Sequence, residues 1–318
     1  MSNITKIRFD ISGEFDLHTR KVTTNPDGSE SYGPLQHRHS GTNLVTDAGL
    51  NNLGTQVFQT WAARLRVGSG NTAPTNGDTA LVSLVASATG GTHDWVWDGT
   101  SRTYIRVFTF GTGNAAGILA ELGLDAGSGS LNTRALFTDS GGSPVTVTVL
   151  SDEQLIVTYR IKFTASETDS VLNVTQNSVD YTLTLRPSGL GNTAKPAGVM
   201  NGSLLAAFHT NSGQDSGFGM MYTGVTSAIG ATNGVPTGAS SVINGAVASL
   251  ANDTYVSTSL KRVQRVTFGL TQGNTANFGA LRLDGAPFAF QLGISPRLNK
   301  TNLQVMVFTV ETTWGRAP

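Results

Sequence analysis

The chain has 318 residues, with 21 basic and 21 acidic side chains for a formal net charge of zero, and no cysteine. Charged residues make up 13% where about 25% is usual, and glycine reaches 38. Disulfides and Cys-ligated zinc are therefore excluded, and nothing supplies the basic patch that a nucleic-acid partner requires.

Apolar residues at 38% are enough for a core, and the length allows one large domain or two ordinary ones. Thr, Ser, Asn and Gly must cover much of the surface. A weakly charged polar surface repels its own copies little and suits side-by-side packing. The basic residues are 15 Arg and 6 Lys, and Arg is the better residue for planar pairing at interfaces. The start of the chain lacks the apolar core of a signal peptide. No stretch approaches the roughly 18 apolar residues of a membrane span. Neither membrane insertion nor secretion by that route is expected.

In chain order, Ile7, Phe9 and Ile11, then Phe15 and Leu17, alternate on either side of Gly13. This predicts a hairpin or a bent pair of strands. Residues 25–43 are rich in turn formers and predict a long loop, so 1–43 is expected as an N-terminal hairpin and docking arm. Residues 46–58 are the helix candidate, capped by Thr46 or Asp47, with Leu50, Leu53 and Val57 on one face. Leu65 and Val67 alternate with Arg64 and Arg66, a strand with one wet face, and a Gly-rich loop follows at 68–81. Further strand-like runs cover 92–99, 104–110, 145–150, 155–163 and 179–187, with a polar turn at 151–154. Residues 188–203 read as loop, 204–209 as a strand or a helical turn, and 210–250 as a Gly, Ser, Ala and Asn-rich insertion. Strand character returns at 261–270, 278–285, 288–294 and 303–314.

These patterns predict an all-β fold, an antiparallel β-sandwich of jelly-roll type with one short helix. Residues 106–125 and 265–284 both begin Arg-Val, pass through Gly-Asn and end Leu-Asp. That echo predicts two related lobes, 44–187 and 188–318, with a boundary near 188–200.

The candidates for chemistry are few. His37 and His39 form an H-x-H pair; in an extended segment residues two apart point the same way, so both could reach one metal. Three chains around an axis would complete an octahedron. The plainer alternative is a solvated loop, and no metal or other cofactor is expected. Asp94 and Asp98 flank Trp95 and Trp97, the furniture of a sugar site. On a straight strand these acids lie about 13 Å apart, too far for a glycosidase pair. Trp95 and Trp97 are kept as candidate glycan contacts, against the reading that both face the core. Asp152-Glu153 is expected to be a solvated turn. There is no G-x-S-x-G, H-E-x-x-H or phosphate-binding glycine motif, so no catalytic set is assigned and the chain is not read as an enzyme.

The runs NLVTDAGLNNLG (43–54), RVGSGNTAPTNGDTAL (66–81), TYIRVFTFGTGNAAGILAELGL (103–124) and RALFTDSGGSPVTVTVLSDEQLIVTYRI (134–161) resemble structural proteins of tailed bacteriophages. These are of the tail-fibre, baseplate or tail-associated kind. The closing ISPRLNKTNLQVMVFTVETTWGRAP resembles their C-terminal strand. The resemblance implies a virion protein made in the host cytoplasm, partnered by other tail proteins and itself homo-oligomeric, with a trimer favoured, and able to contact a host surface glycan. Capsid decoration, a neck position and a carbohydrate-binding receptor role remain the alternatives. On this reading, deleting 1–43 should prevent incorporation into particles while leaving the rest folded.

Overall fold

The computed structural model describes residues 4–56, 58–97, 101–127, 129–188, 223–224, 229–232, 249–284 and 289–318. Among them the chain is all-β, with two short helices, Asp47–Leu53 and Phe58–Trp61. The chain divides into two compact units. An early unit holds Ile11–Val96, Thr103–Phe163 and Arg316–Pro318, and a late unit holds Met1–Asp10, Trp97–Arg102 and Thr164–Gly315. The hairpin Ser170–Gln176 and Val179–Ser188 thus goes with the late residues, whereas the expected boundary assigns it to the first lobe.

The N-terminal segment departs from expectation. Ile4–Thr24 is one unbroken strand of 21 residues. Gly13 makes no turn; a Cβ there would overlap the Asn43 side chain, so glycine permits close approach of the neighbouring strand. A tight turn at residues 25–29 and the short strand Glu30–Tyr32 follow, and Gln36–Val45 then runs back antiparallel along residues 13–19. Phe15 at 1% and Leu17 at 0% exposure belong to the core. Residues 1–43 are therefore not a detachable arm, and removing them would strip the core of the early unit.

One continuous sheet runs through that unit. Its order is His93–Trp97, Ser101–Thr109, Glu153–Ala165, Ile4–Thr24, Gln36–Val45, Thr133–Leu136, Glu121–Asp125, Arg64–Gly68 and Leu84–Thr89. Gln36–Val45 is the corner: residues up to Asn43 pair with the N-terminal strand, and Leu44 and Val45 pair with Thr133–Leu136. The two halves meet through Phe15 and Phe137, with ring centroids 5.7 Å apart, and through Thr133 Oγ1 and the Tyr159 hydroxyl at 2.7 Å. Segments 145–150 and 155–163 do not pair with each other, since Val147–Val149 pairs with Gly117–Leu119.

Helix Asp47–Leu53 starts where a cap was expected: the Thr46 hydroxyl accepts the Gly49 N–H at 2.9 Å. It ends at Gly54, and a second short helix follows at Phe58; Val57 lies outside the described residues. Trp61 is fully buried and its Nε1 donates to Gly49 O at 2.8 Å.

In the late unit one set of strands runs Ser249–Asn252, Lys261–Phe268, Met306–Arg316 and the start of the N-terminal strand. The other runs Ser170–Gln176, Val179–Ser188, Ala289–Lys300, Thr275–Asp284 and Thr223–Gly224. Phe268 and Phe308 from the first set pack on Phe278 from the second, at 5.4 and 6.0 Å. Connectivity repeats between the units. Ser101–Thr109 pairs with Glu153–Ala165 while Glu121–Asp125 pairs with Thr133–Leu136; likewise Lys261–Phe268 pairs with Met306–Arg316 while Thr275–Asp284 pairs with Ala289–Lys300. The sequence echo between 106–125 and 265–284 falls on equivalent strands. The expected strand or helical turn at 204–209, and most of 210–250, lie outside the described residues.

Candidate functional site

The most elaborately built surface feature is the loop at residues 69–83 of the early unit. It leaves strand Arg64–Gly68 and returns to strand Leu84–Thr89, and residues 71–77 are mostly exposed. Beneath it lies Glu121, fully buried on strand Glu121–Asp125. Its carboxylate accepts the N–H groups of Gly70, Val82 and Ser83 at 3.1, 3.2 and 2.9 Å, so it ties both ends of the loop. Arg134 donates to the same carboxylate at 3.0 Å, to Asp78 at 2.6 Å and to Thr72 O at 2.8 Å, which ties the middle. Burial would raise the Asp78 carboxyl, but two bonds from Thr75 and the Arg134 guanidinium outweigh it and hold the group below its ordinary value. Gly70 is required here, since a Cβ would overlap Glu121 and Val82. A second buried acid, Asp125, takes Arg64 at 3.0 Å, Arg66, and the Gly127 N–H at 2.6 Å. Both arginines of the expected wet face are thus paired with a carboxylate that is itself fully buried. The result is an uncharged loop tip on a rigid base, which suits binding. Its signal in the sequence was slight: Glu121 and Arg134 lie in stretches that periodicity did not mark as strands, each beside apolar residues.

The histidine pair is rearranged by a β-bulge. His18 lies opposite His37 and Leu17 opposite His39, so Arg38 is the extra residue and the alternation breaks between the two histidines. Cross-strand partners share a face, so His39 goes inward with Leu17 and His37 outward with His18. The H-x-H premise that both rings point one way fails. His39 packs on Phe137 and Phe15, with centroids 5.2 and 6.0 Å away, and its Nε2 is buried without a hydrogen-bond partner. Burial, then the charge of His37, pushes it below the ordinary imidazole value. Outside, His37 Nε2 lies 2.7 Å from Ser40 Oγ, which donates to Asp16 at 2.7 Å. The serine proton points at the acid, not at the imidazole, so the His37–Ser40–Asp16 array does not activate the Ser40 hydroxyl as a nucleophile. Burial would raise the Asp16 carboxyl, but Ser40 and Arg160 hold it low. Among the described residues no three His, Cys, Asp or Glu side chains gather as a metal-ligand set.

Trp95 is a core residue, 7% exposed, with Tyr104, Phe58 and Phe163 centroids at 5.0, 5.7 and 6.0 Å. It offers no open face to a sugar, so for Trp95 the expectation of a glycan contact gives way to the alternative that it faces the core. Trp97 ends the same strand, but its side chain lies outside what is described, as do Asp98 and His209. Asp94 is exposed and accepts the Trp95 N–H at 2.8 Å. In the 151–154 turn Asp152 pairs with Lys21 at 3.0 Å. Glu153 is not solvated as expected; it is 8% exposed and holds Thr19 Oγ1 and the Leu150 N–H at 3.1 and 2.9 Å.

The late unit holds a cavity of about 450 Å³ that the sequence did not announce. It is lined from the hairpin of Ser170–Gln176 and Val179–Ser188 and from residues 292–309, segments distant along the chain. Only the concentration of Asn and Gln near aliphatic residues at 173–177 and 298–304 could have drawn attention to it. No family model, curated protein or solved structure matches this chain.

Proposed function

We propose that this chain is a virion structural protein of a tailed bacteriophage, associated with the tail, baseplate or tail fibre. It acts by packing against other tail proteins and copies of itself, with trimeric symmetry favoured, and contributes to contact with the host surface. It performs no catalysis and takes no nucleic acid or metal. The observation that carries the reading is a pair of strands at the ends of their sheets. Leu84–Thr89 and Ser170–Gln176 contain no charged residue and no proline. Leu84 and Val171 are 56% and 57% exposed. Lone monomers protect such edges with lysine, proline or bulges, whereas an assembly pairs or covers them. The weak charge and the braced loop fit the same use.

The test is location. Purified particles of the encoding virus should contain the chain by mass spectrometry, and a gold-labelled antibody should mark the tail. Leu84→Lys and Val171→Lys should leave the free chain folded and sharply lower its incorporation. Absence from particles would overturn the proposal. A label on the head or neck would overturn the tail assignment.

A further inference from the structure

We infer that the cavity of the late unit is a binding site for a neutral saccharide. Its volume of about 450 Å³ falls in the usual range of small-molecule sites and has room for roughly one or two sugar rings. Leu183, Leu292 and Phe308 supply an apolar lining. Gln176, Asn177, Asn299 and Tyr181 bring three amides and a phenol to the same space. None of those four side chains has a hydrogen-bond partner among the described residues. Asn177 sits at positive φ in the tight turn between the two hairpin strands, so its place is fixed by backbone.

The chemistry selects the ligand. Each amide both donates and accepts, which matches hydroxyls that do the same. Tyr181 and the aliphatic groups suit the C–H face of a sugar ring. Among the described residues Lys300 is the one charged residue of the lining, and it is buried and already engaged: its ammonium donates to Gly269 O and Asn274 Oδ1, both at 2.8 Å, and to Thr301 O at 3.4 Å. All three of its protons are used, so it offers nothing to a phosphate or carboxylate. An alkyl chain would fit poorly, because it would strip water from free amides without replacing the bonds.

This inference rests on the host-contact part of the proposed function for its biological meaning, and its test is separate. The purified full-length chain is examined by saturation-transfer NMR with methyl α-glucoside, methyl α-galactoside, methyl α-mannoside and N-acetylglucosamine. Each is used at about 10 mM, where even a Kd of roughly 1 mM gives near-full occupancy. Transfer from at least one probe is expected. Asn299→Ala and Tyr181→Phe should each weaken it about tenfold, the effect of one well-made hydrogen bond, while Val256→Ser, which lies outside the lining, should not. Amide shifts confined to 174–183 and 292–309 in the unaltered chain serve as a second readout should a variant misfold. No transfer from any probe, or transfer unchanged by both lining variants, overturns the site. An empty cavity would leave the assembly reading intact, and a chain absent from particles would leave a measured saccharide site.

Discussion

The loop at 69–83 and the rim of the cavity in the late unit are both polar, turn-rich and open to water, yet they are built in opposite ways. In the loop, the buried Glu121 and Arg134 engage backbone groups at both ends and in the middle. At the cavity rim, Gln176, Asn177, Asn299 and Tyr181 have no such partners among the described residues. A chain with few charges can place them inside, as braces for backbone, and leave its surface to uncharged groups. Satisfied polar groups shape a surface; unsatisfied but hydrated ones are available to something else. The contrast is between a braced loop and a cavity whose polar side chains are left unengaged among the described residues.

The largest expected effects test the early unit. Trp95→Ala should cost about 3–5 kcal/mol, the usual result of emptying an aromatic core position, read by urea unfolding. Saccharide binding, measured on the folded fraction, should be unchanged. Lost binding with stability intact would return Trp95 to the role of a sugar platform and erase the contrast. Arg134→Met should cost about 3 kcal/mol, because Glu121 would stay buried without its cation. Combining it with Glu121→Leu should not recover that loss, since the N–H groups of Gly70, Val82 and Ser83 would then lack an acceptor. Full recovery in the double variant would mean that the carboxylate does not brace the loop.

Sequence periodicity carried the strands and the capped helix start well, because alternation and a Thr side chain act locally. Phe15 and Leu17 announced their strand in this way, and Thr46 its helix. It failed where distance along the chain mattered. Gly13 resembles a turn glycine, and only the passing Asn43 reveals it as a point of close approach. Glu121 and Arg134 meet across paired strands, and nothing in either residue's neighbours names the other. The bulge at Arg38 has no compositional mark, yet it decides where His37 and His39 point. The cavity depends on two remote segments folding over each other, so no local window contains it.

The smallest expected effect concerns that bulge. His39 carries a buried Nε2 without a partner, so His39→Leu should stabilise the chain by about 1 kcal/mol at pH 7.5. The gain should grow on acidification. The folded-state value of His39 lies below its ordinary 6.5, so as pH falls the unfolded chain takes up the proton first. Its neutral form therefore supports the fold above about 6.5, and that support is lost as pH falls through the lower folded value. Asp16 and Asp78 are likewise held below their ordinary 3.8, and their contributions fade only as pH falls below it. His18 and His37 remain in both proteins, so the difference between them isolates His39. Urea unfolding at pH 7.5 and pH 5 should show the larger gain at pH 5. An equal gain at both would place His39 on the outer face with His37, restoring the H-x-H geometry that the bulge takes apart.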